Sequence, residues 1–211
     1  MRIWDYFTQI YHTSQLILLA LLWYTGTEGD FETHFICAYL MLALWITRMI
    51  WGVIGSETNQ FHKFIKSPVT AFKWLKQPHK PHPGHNPITG YMVIALIISL
   101  GIQLFTGLFA TDDVFAEGPF IYSVSEDFAE KMDSLHHSNF DILLALIGIH
   151  VIAAIIHSWR GDNVIKTMLT GKSDDVNTSQ AITFKNSLIP LVIWILLFGL
   201  FGYLWLGDAE L

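Results

Sequence analysis

One stretch of this chain, residues 135–156 (LHHSNFDILLALIGIHVIAAII), limits its fold more than any other. It is an almost unbroken apolar run, and as an α-helix it is long enough to cross a bilayer. Two histidines in it, His136 and His150, are fourteen residues apart. At about 100° per residue they fall within about 40° of each other and about 21 Å apart along the helix axis. Because ionisable side chains are costly inside a membrane, they indicate a functional site at two depths.

The composition is that of a membrane protein, since 52% of the 211 residues are hydrophobic and only 14% are charged. We therefore predict an all-α integral membrane protein. Its five spanning segments are expected at about 7–24, 33–54, 88–110, 135–156 and 186–206. The first four form a bundle and the fifth is a C-terminal addition, so the chain divides into a core, 1–173, and a linker with the fifth helix, 174–211. The first apolar run lacks a basic flank and a small-residue cleavage site, which argues against a cleavable signal peptide.

The loops between these segments differ in charge. The connection 55–85 is basic and places Phe and Ile at helical spacing between its lysines, which predicts an amphipathic helix on an anionic membrane surface. The loop 111–134 is acidic. Eleven of the twelve Lys and Arg lie on one side of the five crossings, and only Lys131 lies on the other. The positive-inside rule makes the first side cytoplasmic, so the N-terminus is expected inside and the C-terminus outside.

This topology pairs four histidines by depth. His12 and His150 are expected about 12 Å and 13 Å from the cytoplasmic interface. His34 and His136 are both expected in the first turn of a helix that begins at the outer face. We interpret each pair as the two axial ligands of one haem, which gives two haems stacked across the bilayer. The alternative for each histidine is a structural role, in which its side chain makes a hydrogen bond between helices.

Other histidines and the cysteine carry weaker signals. Cys37 is the only cysteine, which excludes a disulfide, covalent haem attachment and a cysteine-ligated iron–sulfur cluster, so any haem here is b-type. His157 is a rival ligand on nearly the same face as His150, but it is expected too close to the interface to pair with His12. His137 points about 140° away from His150 and is excluded.

Three further residues are candidates for contact with haem propionates. Arg48 and Arg160 end their segments on the cytoplasmic side, where a charge-assisted contact is possible and ordinary snorkelling is the alternative. His85 precedes segment three and is a candidate by its position, with a solvated polar turn as the alternative. The run that contains it, His79, His82 and His85, has the spacing of a surface metal site but is broken by prolines.

The chain resembles the bacterial cytochrome b561 family, which includes the b-type cytochrome subunits of Ni/Fe-hydrogenases. The resemblance is carried by WDYFTQIYH from Trp4, RMIWGVIG from Arg48, GHNPxxG from Gly84, NVIKTMLTG from Asn163 and the four histidines. It implies a four-helix core in the bacterial inner membrane with two b haems, held by residues that match His12, His34, His136 and His150. Thr13 and Phe35 depart from the family pattern, which usually has an aromatic and a basic residue there.

The resemblance also implies a function. We expect electron transfer across the inner membrane between the quinone pool and a periplasmic redox partner, such as a c-type cytochrome or a hydrogenase-like oxidoreductase. The acidic outer loops favour a partner that presents lysines. One alternative is an enzyme that oxidises superoxide at the periplasmic face and reduces quinone. The other is a haem-free membrane scaffold or transporter. An electron-transfer subunit is favoured over a stand-alone enzyme, and nothing in the sequence indicates nucleic-acid binding.

Overall fold

The computed structural model describes residues 1–75, 87–111, 116–173 and 182–208. In chain order its α-helices are α1 (Tyr6–Glu28), α2 (Phe31–Ile54), α3 (Phe61–Phe64), α4 (Pro68–Leu75), α5 (Pro87–Gly107), α6 (Glu126–Trp159), α7 (Val164–Thr170) and α8 (Leu188–Asp208). The five long helices α1, α2, α5, α6 and α8 correspond to the five predicted spanning segments. The short helices lie in the connections.

Four of the helices in the described part of the chain, α2, α5, α6 and α8, are long and apolar enough to cross a membrane. The predicted all-helical membrane bundle is confirmed, and the chain is a multi-pass membrane protein. Helix α1 has a similar length of 23 residues but is not in that group. Polar residues crowd its first half: Gln9, His12, Thr13, Ser14 and Gln15. Since α1 packs along α2, it lies within the same bundle.

The long helices pack as two groups. Helix α2 lies between α1 and α8, and α5 packs along α6. The groups meet where α2 crosses α5, and there the Trp45 indole N–H donates to the carbonyl of Ile97 at 3.0 Å. The same ring lies over Gly101, where a Cβ atom would come within 2.7 Å of it. Helix α6 has no extensive contact with α1 or α2 among the described residues.

We expect Gly101→Ala to destabilise the protein, because the added methyl group must displace the Trp45 ring or separate α2 from α5. Overpacking of this kind costs about 1–3 kcal/mol. Thermal unfolding of the purified protein measures it. The matched control is Gly148→Ala on α6, where the added Cβ meets nothing within 4 Å. Equal melting temperatures for the two variants would show that the crossing tolerates a side chain.

The basic connection after α2 differs from the prediction of one amphipathic surface helix. Among its described residues it forms a 3₁₀ turn, Glu57–Asn59, followed by the separate helices α3 and α4. The break before α4 falls at Pro68, because proline disfavours a helical conformation in the residue before it. Phe64 is buried against Gly90 of α5, whereas Phe72 is 61% exposed. Part of the apolar stripe therefore closes the end of the bundle instead of facing lipid.

Helix α6 begins nine residues earlier than predicted, at Glu126. The acidic residues that indicated a loop belong to its first turns, since Glu126 and Asp127 interact favourably with the positive end of the helix dipole. The prediction that His136 lies in the first turn is therefore wrong. His136 is the eleventh residue of the helix, whereas His34 does lie in the first turn of α2.

A buried carboxylate joins three elements at the end of the bundle where α1 begins. Asp5 is 3% exposed and caps α1 by accepting from the Thr8 backbone N–H at 2.8 Å. Its other oxygen accepts from the Trp51 indole and from the Asn59 side-chain amide, both at 2.9 Å. Asp5 therefore fixes the start of α1 to the end of α2 and to the turn that follows.

The segment before α8 is attached to the same end of the bundle. The backbone N–H of Thr183 donates to the Glu57 carboxylate at 3.3 Å, and Lys63 pairs with it at 3.2 Å. These two contacts hold the pKa of Glu57 below its usual value. Farther along, Trp194 of α8 donates its indole N–H to the carbonyl of Leu40 at 3.1 Å. Helix α8 is therefore docked on α2.

Candidate functional site

The four histidines singled out in the sequence are partly buried and lie on three helices of the bundle. His12 on α1 is within electrostatic range of His150 on α6. His34 on α2 is within electrostatic range of His136, also on α6. Each pair joins α6 to the other helix group, with which it otherwise has little contact. The pairing inferred from depth stays a prediction, and its premise that His136 lies in a first turn does not hold.

The two pairs lie at different levels of the bundle. His34 contacts Thr25 of α1, which is thirteen residues beyond His12, or about 20 Å along the helix. On α6 the fourteen residues from His136 to His150 span about 21 Å. The two helices thus give the same separation independently. Two ligand pairs at this separation suit two planar cofactors stacked across a membrane.

The rings of His34 and His136, called the outer pair after the predicted orientation, are held through Nδ1. The Nδ1 atom of His34 lies 3.2 Å from the hydroxyl oxygen of Thr25. That of His136 lies 3.2 Å from the Thr106 hydroxyl oxygen and 3.1 Å from the Gln103 carbonyl. Axial haem ligands commonly make such Nδ1 contacts, which leave Nε2 for the iron.

The Gln103 side chain is part of a polar contact between α5 and α6. The Asn139 amide donates to the Gln103 side-chain oxygen at 2.7 Å and to the Ser99 carbonyl at 3.0 Å. Asn139 is 3% exposed and lies three residues after His136. This contact fixes α6 on α5 beside the outer pair.

Arg48 on α2 is buried at 5% exposure and approaches Tyr11, the residue before His12 of the proposed inner pair, His12 and His150. Its Nη1 donates to the Asn59 carbonyl at 3.3 Å, and its guanidinium carbon is 5.9 Å from the centre of the Tyr11 ring. Within the described part of the chain no carboxylate is within ion-pair distance of it. A buried cation without an ion pair is suited to an anionic group such as a haem propionate.

The remaining candidates are less well placed. Arg160 follows the end of α6 with an exposed side chain. His157 pairs with Asp162 at 3.3 Å in the turn after α6, and His137 projects from the surface with its side chain 75% exposed. His85 lies outside the described residues, as do His79 and His82. The propionate contacts predicted for Arg160 and His85 stay predictions.

The residues fit a pair of b haems. Each proposed site offers two imidazoles on different helices, and the outer rings are held at Nδ1. The described residues contain no cluster of three or more potential metal-ligating side chains. A helical membrane bundle with such pairs has the features of a membrane-bound b-type cytochrome.

Comparison with known families agrees with this. A model of the prokaryotic cytochrome b561 family matches residues 3–171. The chain therefore belongs to that family and is a membrane b-type cytochrome of electron transfer. The resemblance inferred from the sequence is confirmed. Membership in a family of b-type cytochromes argues against the alternative of a haem-free membrane scaffold or transporter. Neither a search of curated proteins nor a search of solved structures found a match.

Two features of the site were missed in the sequence. The dipeptide Thr-Gly occurs near the end of α1 and again at the end of α5, and both copies contact a histidine of the outer pair. Recurrence alone gave no signal, because Thr-Gly also occurs at Thr89-Gly90 and Thr170-Gly171. The Asp5 network was also missed, because Asp5 and Asn59 are 54 residues apart and the WDYFTQIYH motif does not indicate a partner for the carboxylate.

Proposed function

We propose that the chain is a di-haem cytochrome that passes electrons across the bacterial inner membrane, between the quinone pool and a periplasmic redox partner. The observation that carries the proposal is the pairing of four histidines at two levels about 20 Å apart. His12 and His150 hold the inner haem, and His34 and His136 hold the outer one. Bound haem supplies one-electron chemistry between ferric and ferrous iron.

The chain's own residues set the conditions for that chemistry. The imidazoles would hold each macrocycle between α6 and the other helix group, and Arg48 would neutralise a propionate of the inner haem. Arg160 and His85 are further candidates for propionate contacts. Residues 1–173 form the haem-binding core, and residues 174–211 add a linker and a lipid-facing helix.

The charge distribution supports an orientation with the N-terminus in the cytoplasm and the C-terminus in the periplasm. The outer end then presents the acidic residues at the start of α6 together with Glu117, whose carboxylate accepts a hydrogen bond from Tyr122 at 2.5 Å. Such a surface suits a partner with lysines around its own redox centre, a c-type cytochrome or an oxidoreductase such as a hydrogenase.

The test is a haem assay on the purified protein. We expect a sharp α band on dithionite reduction, a pyridine haemochromogen spectrum of haem b, and two haems per chain. Oxidation of the reduced protein by a soluble quinone analogue in detergent or nanodiscs then tests the exchange of electrons with quinone. One haem or none per chain would contradict the proposal.

Superoxide oxidation at the outer face is the second candidate from the sequence. Stopped-flow mixing of the ferric protein with superoxide distinguishes the two functions. Haem reduction that is fast and suppressed by superoxide dismutase would favour the enzyme. Lys131 is exposed but lies among acidic residues, so the described outer surface does not attract an anion.

A further inference from the structure

The outer histidine pair is supported by a repeated arrangement on two helices. Thr25 of α1 and Thr106 of α5 are buried at 2% and 1% exposure. Each places its hydroxyl oxygen 3.2 Å from Nδ1 of a histidine on the next long helix, His34 and His136 respectively. The two threonines thus make the same contact at corresponding positions of the two helix groups.

The threonines determine which ring nitrogen carries the proton. Thr25 donates its hydroxyl hydrogen to the Leu21 carbonyl at 2.7 Å, and Thr106 donates to the Ile102 carbonyl at 2.8 Å. With that hydrogen used, each hydroxyl oxygen acts as an acceptor toward Nδ1. The Gln103 carbonyl, 3.1 Å from Nδ1 of His136, can only accept. Nδ1 is therefore protonated in both rings, and Nε2 keeps the lone pair that an iron ligand needs.

The glycine after each threonine makes room for the ring. A Cβ atom at Gly26 would lie 3.2 Å from Cε1 of His34, and one at Gly107 would lie 3.0 Å from Cε1 of His136. These distances are shorter than ordinary van der Waals contacts, so the imidazoles occupy the space of a side chain. The threonine fixes the tautomer, and the glycine limits the position of the ring.

The inner pair lacks this arrangement. Neither His12 nor His150 makes a side-chain hydrogen bond to another described residue. The two ligand pairs therefore differ in the support they receive from the protein.

We propose that Thr25-Gly26 and Thr106-Gly107 are positioning residues that orient His34 and His136 and lower the midpoint potential of the outer haem. This inference rests on the proposed function. A hydrogen bond donated by Nδ1–H increases electron donation from Nε2, which stabilises ferric iron. Loss of either threonine contact weakens that donation and shifts the potential to more positive values.

The experiment is a spectroelectrochemical titration of the purified holoprotein and its Thr25→Val and Thr106→Val variants, which keep the side-chain shape without the hydroxyl. We expect one of the two haems to shift to a more positive potential, the other to stay, and the double variant to shift further than either single one. Serine at the same positions should restore the wild-type value.

The control is Thr47→Val on α2. Thr47 is fully buried and donates to the Ala43 carbonyl at 2.8 Å, but it has no hydrogen bond to a histidine. Valine variants at 25 and 106 that leave both potentials unchanged, or that behave like Thr47→Val, would overturn the inference.

A second set of variants serves if the valine proteins do not assemble. Gly26→Ala and Gly107→Ala should change the ferric low-spin electron paramagnetic resonance signal of one haem, because the ring must move, while Gly148→Ala should leave it unchanged. Unaltered signals in all three would also overturn the inference. A wild-type protein with fewer than two haems would instead contradict the proposed function. If the wild-type protein binds two haems but the threonine and glycine variants leave the potentials and the resonance signals unchanged, only the positioning role is contradicted.

Discussion

Replacement of His34 or His136 by alanine is expected to remove one haem per chain, and the same haem in both variants. Replacement of His12 or His150 should remove the other. The reason is that each pair joins α6 to the other helix group at one level, so that loss of either ligand leaves the iron with a single axial imidazole. Pyridine haemochromogen assays give the stoichiometry, and redox titration identifies which haem remains.

The control for this series is His137→Ala. His137 is adjacent in sequence to a proposed ligand, but its side chain is 75% exposed and lies 3.8 Å from Asp133. We expect its replacement to leave both haems in place. If the variants grouped differently, for example with His12 and His34 affecting the same haem, the pairing by level would be wrong.

The second large effect is expected for Asp5→Ala. The change removes the cap of α1 and leaves the Trp51 indole and the Asn59 amide buried without their acceptor. An N-cap is worth about 1 kcal/mol, and each buried donor left unsatisfied costs about 1–3 kcal/mol. We therefore expect a loss of about 3–7 kcal/mol, measured by thermal or denaturant unfolding in detergent.

Asp30→Ala provides the comparison, since Asp30 also caps a helix. It accepts from the Thr33 backbone N–H at 3.2 Å, but its side chain is exposed and the sequence places it at the opposite end of the bundle. Its loss should cost about 1 kcal/mol. Similar losses for the two variants would mean that the contacts of Asp5 with Trp51 and Asn59 contribute little.

Hydrophobic segmentation was sufficient to predict the long helices, because an apolar run of this length follows from helix geometry along one chain. The pairing of the histidines stays a prediction. The start of α6 was not predictable in this way. Its first turns are acidic, and the same residues suit a solvated loop and a helix N-terminus. The connection after α2 was predicted as lipid-facing, whereas Phe64 is buried against Gly90, a contact between residues far apart in sequence.

The Nδ1 partners of the outer histidines were not predictable for a related reason. Small and hydroxylated residues are common in membrane helices for packing alone. Whether Thr25 meets an imidazole depends on how α1 and α2 are rotated relative to each other, and a single sequence does not specify that rotation. The same holds for Arg48, whose burial depends on the turn that folds back over it.

The crossing of Trp45 over Gly101 joins the two helix groups that carry the four histidines. His12 and His34 belong to one group and His136 and His150 to the other, so the thickness of this contact bears on the span between opposing imidazoles. If these imidazoles ligate haem as proposed, a bulkier residue in place of Gly101 should change the ligand field at both levels together.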